Sequence, residues 1–235
     1  MFAGPNGSGK STIKEVVPSE LLGVYINPDE IEKELRKTGQ LNLVSFQVKS
    51  TNTEFIAYLK NSSFLKKVGL LHQLDAFSCT KNTISLGCVE INSYYASVIS
   101  SFIREKLLDS KISFTFETVM SSPDKVEFLN KARKKGFRTY LYFVATEDPQ
   151  INISRVAHRV KVGGHPVPEE KIVSRFHRSL SLLPQAINNT DRAYFFDNSG
   201  DKSIWLAEVV NSTELEYKSE LIPNWFKSSL KEMFV

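Results

Sequence analysis

The sequence predicts an α/β fold, a three-layer α/β/α arrangement around a mainly parallel sheet, and three observations carry that expectation. β-like and helix-like runs alternate along most of the 235 residues, and strands separated by helices feed back parallel with helices over both faces. The run "FRTYLYFVAT" at 137–146 is apolar enough for a central strand. A glycine-rich turn at 4–9 joins a strand end at 1–3 to a helix-like stretch at 9–17, the strand–loop–helix order in which α/β chains hold ligands.

The elements follow in order. The first helix stops at Pro18, "GVYIN" at 23–27 is a short strand, and "PDEIEKELRK" at 28–37 is a helix opening on proline with acids in its first turn. From Thr38 to about Val89 the chain is polar, with weak periodicity and few turn signals, and reads as a helical insertion at 39–90. In "INSYYASVISSFIREKLL", Ile91, Tyr95, Val98, Ile99, Phe102 and Ile103 share one helical face. "ISFTF" at 112–116 is a strand, and 122–136 a capped helix ending at Gly136. Helices at about 149–161 and 168–188 are joined by "VGGHPVP"; "RAYFFDNS" is a strand, "SIWLAEVV" and "LEYKSEL" a hairpin, and 223–233 a helix. The whole is expected to be one domain, 1–235, whose first strand is short.

Composition narrows the function. The longest apolar runs are strand-sized, far short of a membrane span, and no secretory signal pattern opens the chain. Cys79 and Cys88 fit no zinc spacing and are expected as buried free thiols in a reducing cytoplasm. Formal net charge is only +4, yet residues 131–178 hold eleven Lys or Arg against four acids. That local excess suits a polyanion, whether phosphate groups or a nucleic-acid backbone.

Gly4, Gly9, Lys10 and Ser11 satisfy G-x-x-x-x-G-K-[ST]. The loop formed by Gly4, Pro5, Asn6, Gly7, Ser8 and Gly9 can curl its N–H groups inward on a phosphate. Lys10, Ser11 and Thr12 open the helix whose positive end completes the anion site. Lys10 supplies a cation for the β and γ phosphates, and the Ser11 hydroxyl can ligate Mg²⁺. The motif thus points to ATP with Mg²⁺ and leaves the acceptor open.

Asp29 follows the second strand, at the sheet edge where ligands bind. It can serve as the base that takes a hydroxyl proton, or as a helix-dipole carboxylate. Glu117 and Thr118 come directly after "ISFTF" and can support Mg²⁺ or grip an acceptor, or simply cap a turn. Arg155 and Arg159 at i, i+4, with Arg175 and Arg178 at i, i+3, give two basic helix faces that the "GGHP" joint can fold into a lid hairpin over 155–178. His158, His165 and His177 lie in this region without a metal-ligand spacing.

With these parts in order, the chain resembles the zeta-toxin family of P-loop kinases, through "GPNGSGKST", "NPDEI", "FTFETVMSS", "RVAHRVKVGGHPVPEEKIVSRFHRSL" and "FDNS". The resemblance implies ATP- and Mg²⁺-dependent phosphorylation of a small acceptor, best known as the sugar 3′-hydroxyl of UDP-N-acetylglucosamine, and a small antitoxin that blocks the ATP site. It further implies Lys10 and Ser11 on phosphate and Mg²⁺, Asp29 as general base, Glu117 and Thr118 at the acceptor, and Arg159 and Arg175, with Arg155 and Arg178, on the phosphates. The chain departs from the family's sugar-nucleotide kinases in two ways. No glycine separates Glu117 from Thr118, and Val119, Met120 and Ser121 offer no cation. A kinase of the same build acting on another nucleotide or a nucleic-acid end, or a non-catalytic ATP-binding module, are the competing expectations.

Overall fold

The computed structural model describes residues 1–164 and 166–234. The chain forms two compact units, one of Met1–Pro18 with Glu117–Val235 and one of Ser19–Phe116.

The first unit is built on a sheet. β1 (Phe2–Ala3) runs parallel to β7 (Tyr140–Ala145) on one side and to the last two residues of β6 (Phe114–Thr118) on the other. β8 (Arg192–Asp197) lies parallel to β7, and the hairpin of β9 (Ile204–Val210) and β10 (Glu214–Tyr217) extends the sheet antiparallel beyond β8. The expected parallel order and terminal hairpin are both present. β1 is only two residues long, and its neighbours hold it: Tyr142 N donates to Met1 O at 2.8 Å. Leu141, Phe143, Ala193 and Phe195 are buried on one face, where Phe143 meets Trp225 and Phe195 meets Phe226 of the C-terminal helix (Asn224–Leu230).

The helices of this unit are α1 (Lys10–Glu15), α7 (Pro123–Lys134), α8 (Pro149–Lys161), α9 (Glu169–Ser181), α10 (Leu183–Asn188) and α11 (Asn224–Leu230). The stretch 168–188, expected as one helix, is two. Pro184 in the first turn of α10 has no N–H to give the preceding turn, so the ladder breaks at Leu182.

The second unit holds α2 (Ser19–Leu22) and β2 (Val24–Ile26), the latter parallel to the first residues of β6, together with α3 (Pro28–Thr38) and α6 (Ser93–Asp109). Ile91 and the predicted α6 face of Tyr95, Val98, Ile99, Phe102 and Ile103 are all buried. The 39–90 segment is corrected: besides α4 (Asn52–Lys60), α5 (Ser63–Lys67) and two 3₁₀ turns, it contains an antiparallel sheet of β3 (Gln40–Asn42), β5 (Thr83–Ser85) and β4 (Ser78–Thr80). Each strand buries one central side chain, Leu41, Ile84 or Cys79, too few for alternation to be visible in sequence. Lys81 and Asn82, at φ 50° and 61°, make the two-residue turn that joins β4 to β5. Cys79 is buried as expected, but Cys88 is exposed on the loop before α6. No helix among the described residues is long and apolar enough to cross a membrane.

α4 opens with a capping box in which Thr51 and Glu54 bond each other's backbone N–H. The Thr51 N–H, then the Lys106 ammonium and the Ser50 hydroxyl, hold the Glu54 carboxyl down from 4.5 to about 2. A depressed folded-state pKa means that the contribution is complete above pH 4.5 and is lost as pH falls towards 2. Glu54 is half exposed, so solvent screening keeps the effect modest. Thermal midpoints measured across that interval should fall less steeply for Glu54→Gln than for the wild type.

Candidate active site

The glycine loop leaves β1 between β7 and the end of β6 and turns into α1. Gly9, at φ 94°, sits directly before Lys10 at the start of the helix. Lys10 Nζ donates to the carbonyls of Gly4 and Pro5, each at 2.9 Å, so its ammonium is folded over the loop. Ser8 is fully buried, and its hydroxyl has no hydrogen-bond partner among the described residues. A buried hydroxyl so placed costs about 1–3 kcal/mol unless something accepts from it, which suits a loop made to enclose an anion.

β6 continues through Glu117 and Thr118, so these two residues lie within the strand rather than after it. Parallel pairing of Phe2 with Glu117 brings this carboxylate beside the loop. The Ser11 hydroxyl donates to Glu117 Oε1 at 3.4 Å, and Glu117 is buried while Ser11 is exposed. Two hard oxygen donors at that separation match neighbouring positions in a Mg²⁺ shell, which lie about 3 Å apart for bonds of 2.0–2.1 Å. The donor set therefore fits Mg²⁺. Among the described residues no group of three His, Cys, Asp or Glu could hold a metal.

Beyond Thr118 the backbone is strained. Met120 is fully buried at φ 52°, its N–H bonded to Thr118 Oγ1 at 3.0 Å. A left-handed non-glycine residue costs on the order of 1 kcal/mol or more. It is held because Ser179 of α9, also fully buried, donates to Val119 O at 2.8 Å.

α8 and α9 pack against each other, and their arginines diverge. Arg175 Nη1 donates to Asn6 Oδ1 at 3.3 Å, bringing one guanidinium to the loop. Arg159, half-buried, lies one turn beyond Arg155 on α8. Arg155 itself is turned away, donating to Asn198 O at 2.6 Å and Gly200 O at 3.2 Å. Arg178 is exposed, with its Nε on Ser174 O of its own helix. His158 and His177 are exposed, and His165 lies outside the described residues.

Two site residues escape a reading by motif. Asn152 on α8 donates to Asn6 O at 2.6 Å, and Asn198, just past β8, donates to Ser8 O at 2.8 Å. "FDNS" carried the only sequence signal for Asn198, without a role; Asn152 carried none.

Asp29 belongs to the second unit. It is exposed in the first turn of α3, where Asn27 caps the helix by accepting from the Asp29 N–H at 2.9 Å.

A parallel sheet whose β1 feeds a glycine loop and a helix N-terminus, flanked by a hydroxyl–carboxylate pair and a basic helical hairpin, defines the P-loop kinase class of fold. The sequence profile of the zeta toxin family matches residues 90–209, just over half of the chain. The chain belongs to the zeta toxin family. An uncharacterised protein of Haemophilus influenzae is 29% identical over 65 residues, which cover 28% of this chain and 46% of that protein. The crystal structure of a native AvrRxo1-ORF1:-ORF2 complex superposes with a TM-score of 0.53 at 15% identity, over 93% of this chain and 60% of the other. The same complex with ATP gives 0.50 at 15% identity, over 92% and 60%. These likenesses establish the shared fold, and the chain spans less than two thirds of the length of these relatives.

Proposed function

We propose that the chain is an ATP- and Mg²⁺-dependent kinase that transfers the γ-phosphoryl group to a hydroxyl of a UDP-N-acetylhexosamine. The observation that carries this reading is the pairing of the Ser11 hydroxyl with the buried Glu117 carboxylate beside a glycine loop that Arg175 also reaches. ATP in a structural neighbour's complex adds support for the nucleotide. The loop N–H groups, Lys10, Arg159 and Arg175 hold the phosphates; Ser11 and Glu117 would hold Mg²⁺, which when bound would supply positive charge against the phosphate oxygens. Glu117 and Thr118 orient the acceptor, and Asp29 takes its proton as the acceptor oxygen bonds the γ-phosphorus and the bond to the β–γ bridging oxygen breaks, releasing ADP. An antitoxin protein covering the ATP site and a cytoplasmic location belong to the same reading.

One observation favours a second acceptor, another nucleotide or a nucleic-acid end. Thr118 is engaged by the Met120 N–H, and residues 119–121 carry no cation for a sugar nucleotide's diphosphate. Incubation with ATP, Mg²⁺ and a panel of UDP-sugars, nucleosides and oligonucleotides, followed by mass spectrometry, separates the readings. One added phosphate on a UDP-N-acetylhexosamine is the expected result. Product on nucleosides or oligonucleotides alone transfers the assignment to the second reading. No product at all, with measurable ATP affinity, leaves a non-catalytic ATP-binding module.

A further inference from the structure

The glycine loop is held from outside, and the manner of its holding carries an inference that rests on the ATP-binding reading. For loop N–H groups to converge on an anion, the carbonyls between them must point outward and be satisfied there. Asn152 takes Asn6 O and Asn198 takes Ser8 O. The Asn198 contact demands glycine opposite it, since a Cβ on Gly9 would lie 2.0 Å from Asn198 Nδ2. Gly7 is required by close approach of the α8 backbone, where a Cβ would lie 2.6 Å from the main-chain carbonyl oxygen of Asn152.

The turn that presents Asn198 is itself strongly constrained. Asn198 N donates to Ala145 O at 2.8 Å. The buried Asp197 carboxylate accepts from Trp225 Nε1 at 2.8 Å and from the Ser199 hydroxyl and N–H at 2.8 and 3.1 Å. The Ser199 hydroxyl in turn accepts from Glu147 N at 2.8 Å, and Arg155 bridges the carbonyls of Asn198 and Gly200. Ordering so short a surface turn costs conformational entropy, and the Asn198 amide joins it to the glycine loop.

We infer that Asn198 is a positioning residue for the phosphate-binding loop, and that Arg155 serves ATP binding through Asn198 rather than by gripping phosphate. Arg155 closes the turn, the turn aims the amide, and the amide fixes Ser8 O outward so that the following N–H groups face the phosphates.

The test is a double-mutant cycle on ATP affinity by calorimetry, with adenosine as a ligand lacking phosphates. Asn198→Leu keeps nearly the size of asparagine and removes the donor, while Asn198→Ala removes both. Each should weaken ATP about tenfold, as expected for one lost hydrogen bond and a stranded carbonyl, and leave adenosine unchanged. ATP affinity of Asn198→Leu equal to wild type would reduce Asn198 to packing and overturn the proposal. Arg155→Met should weaken ATP several-fold in the wild-type background and have no further effect in Asn198→Leu. Additive effects would instead make Arg155 a direct phosphate ligand. Amide exchange at Gly9 and Lys10 in ATP-free protein provides a second readout, with unfolding midpoints checking that each variant folds. Faster exchange in Arg155→Met is expected, and unchanged exchange overturns the coupling. Wild-type protein that binds no ATP, yet shows this exchange pattern, would sink the ATP reading while leaving the loop support intact.

Discussion

Arg175→Met should slow phosphoryl transfer by roughly 10³–10⁵-fold, the range attached to a single arginine on the transferring group, while ATP affinity changes far less. The expectation comes from position. Arg175 bonds the glycine loop through Asn6 Oδ1 at 3.3 Å, and α9 is anchored one turn later by Ser179 on Val119 O. Its guanidinium is therefore carried by a helix tied both to the loop and to the strand end bearing Glu117. A charge pair at 4 Å is worth about 1 kcal/mol in water and about 4 at an effective dielectric near 20, so the arginine acts mainly once bound substrates exclude water. Arg175→Lys keeps the charge but loses the planar fork, and should recover only a small part of the rate. Single-turnover rates alongside calorimetric affinities separate the two effects, and an unchanged rate in Arg175→Met would remove it from the chemistry.

Asp29→Asn should lower the rate by about 10²–10⁴-fold, the usual contribution of a positioned general base, with ATP affinity intact. In the proposed reaction Asp29 takes the acceptor's proton and makes no contact with the nucleotide. Nucleotide binding should therefore survive its loss. Asparagine is close in size and still fits the first turn of α3, where Asn27 bonds the backbone N–H of residue 29 rather than its side chain. The fold is thus expected to persist while proton acceptance is lost. Turnover at the wild-type rate would assign the carboxylate to the helix dipole alone.

How much was legible in the sequence depended on the range of the interaction that decided each feature. α6 could be read because its buried face repeats with the period of its own backbone, and the β9–β10 hairpin because its two strands adjoin. The three-residue strands β3, β4 and β5 could not, since each shows one buried side chain and the pairing of β3 with β5 joins residues some forty positions apart. The single helix expected at 168–188 ignored Pro184, whose missing N–H ends one helix and starts another. The expectation for Cys88 failed because burial of a lone cysteine is a tendency of the residue type, while loop position decided its exposure.

The glycine loop and its turn into a helix were legible in the sequence alone. Its glycines, lysine and hydroxyl act within a dozen consecutive residues, where local backbone freedom and a helix N-terminus suffice. The basic hairpin was likewise set by spacing along two helices. The use of each arginine was decided only by tertiary structure. Arg155 and Arg175 look alike in sequence, yet one closes a turn past β8 and the other reaches Asn6. The partners of Ser8 and Asn6, namely Asn198 and Asn152, are drawn from more than 140 residues away. A long side chain can satisfy its donors on any acceptor within reach, and which acceptors come within reach is fixed by packing between elements distant in the chain.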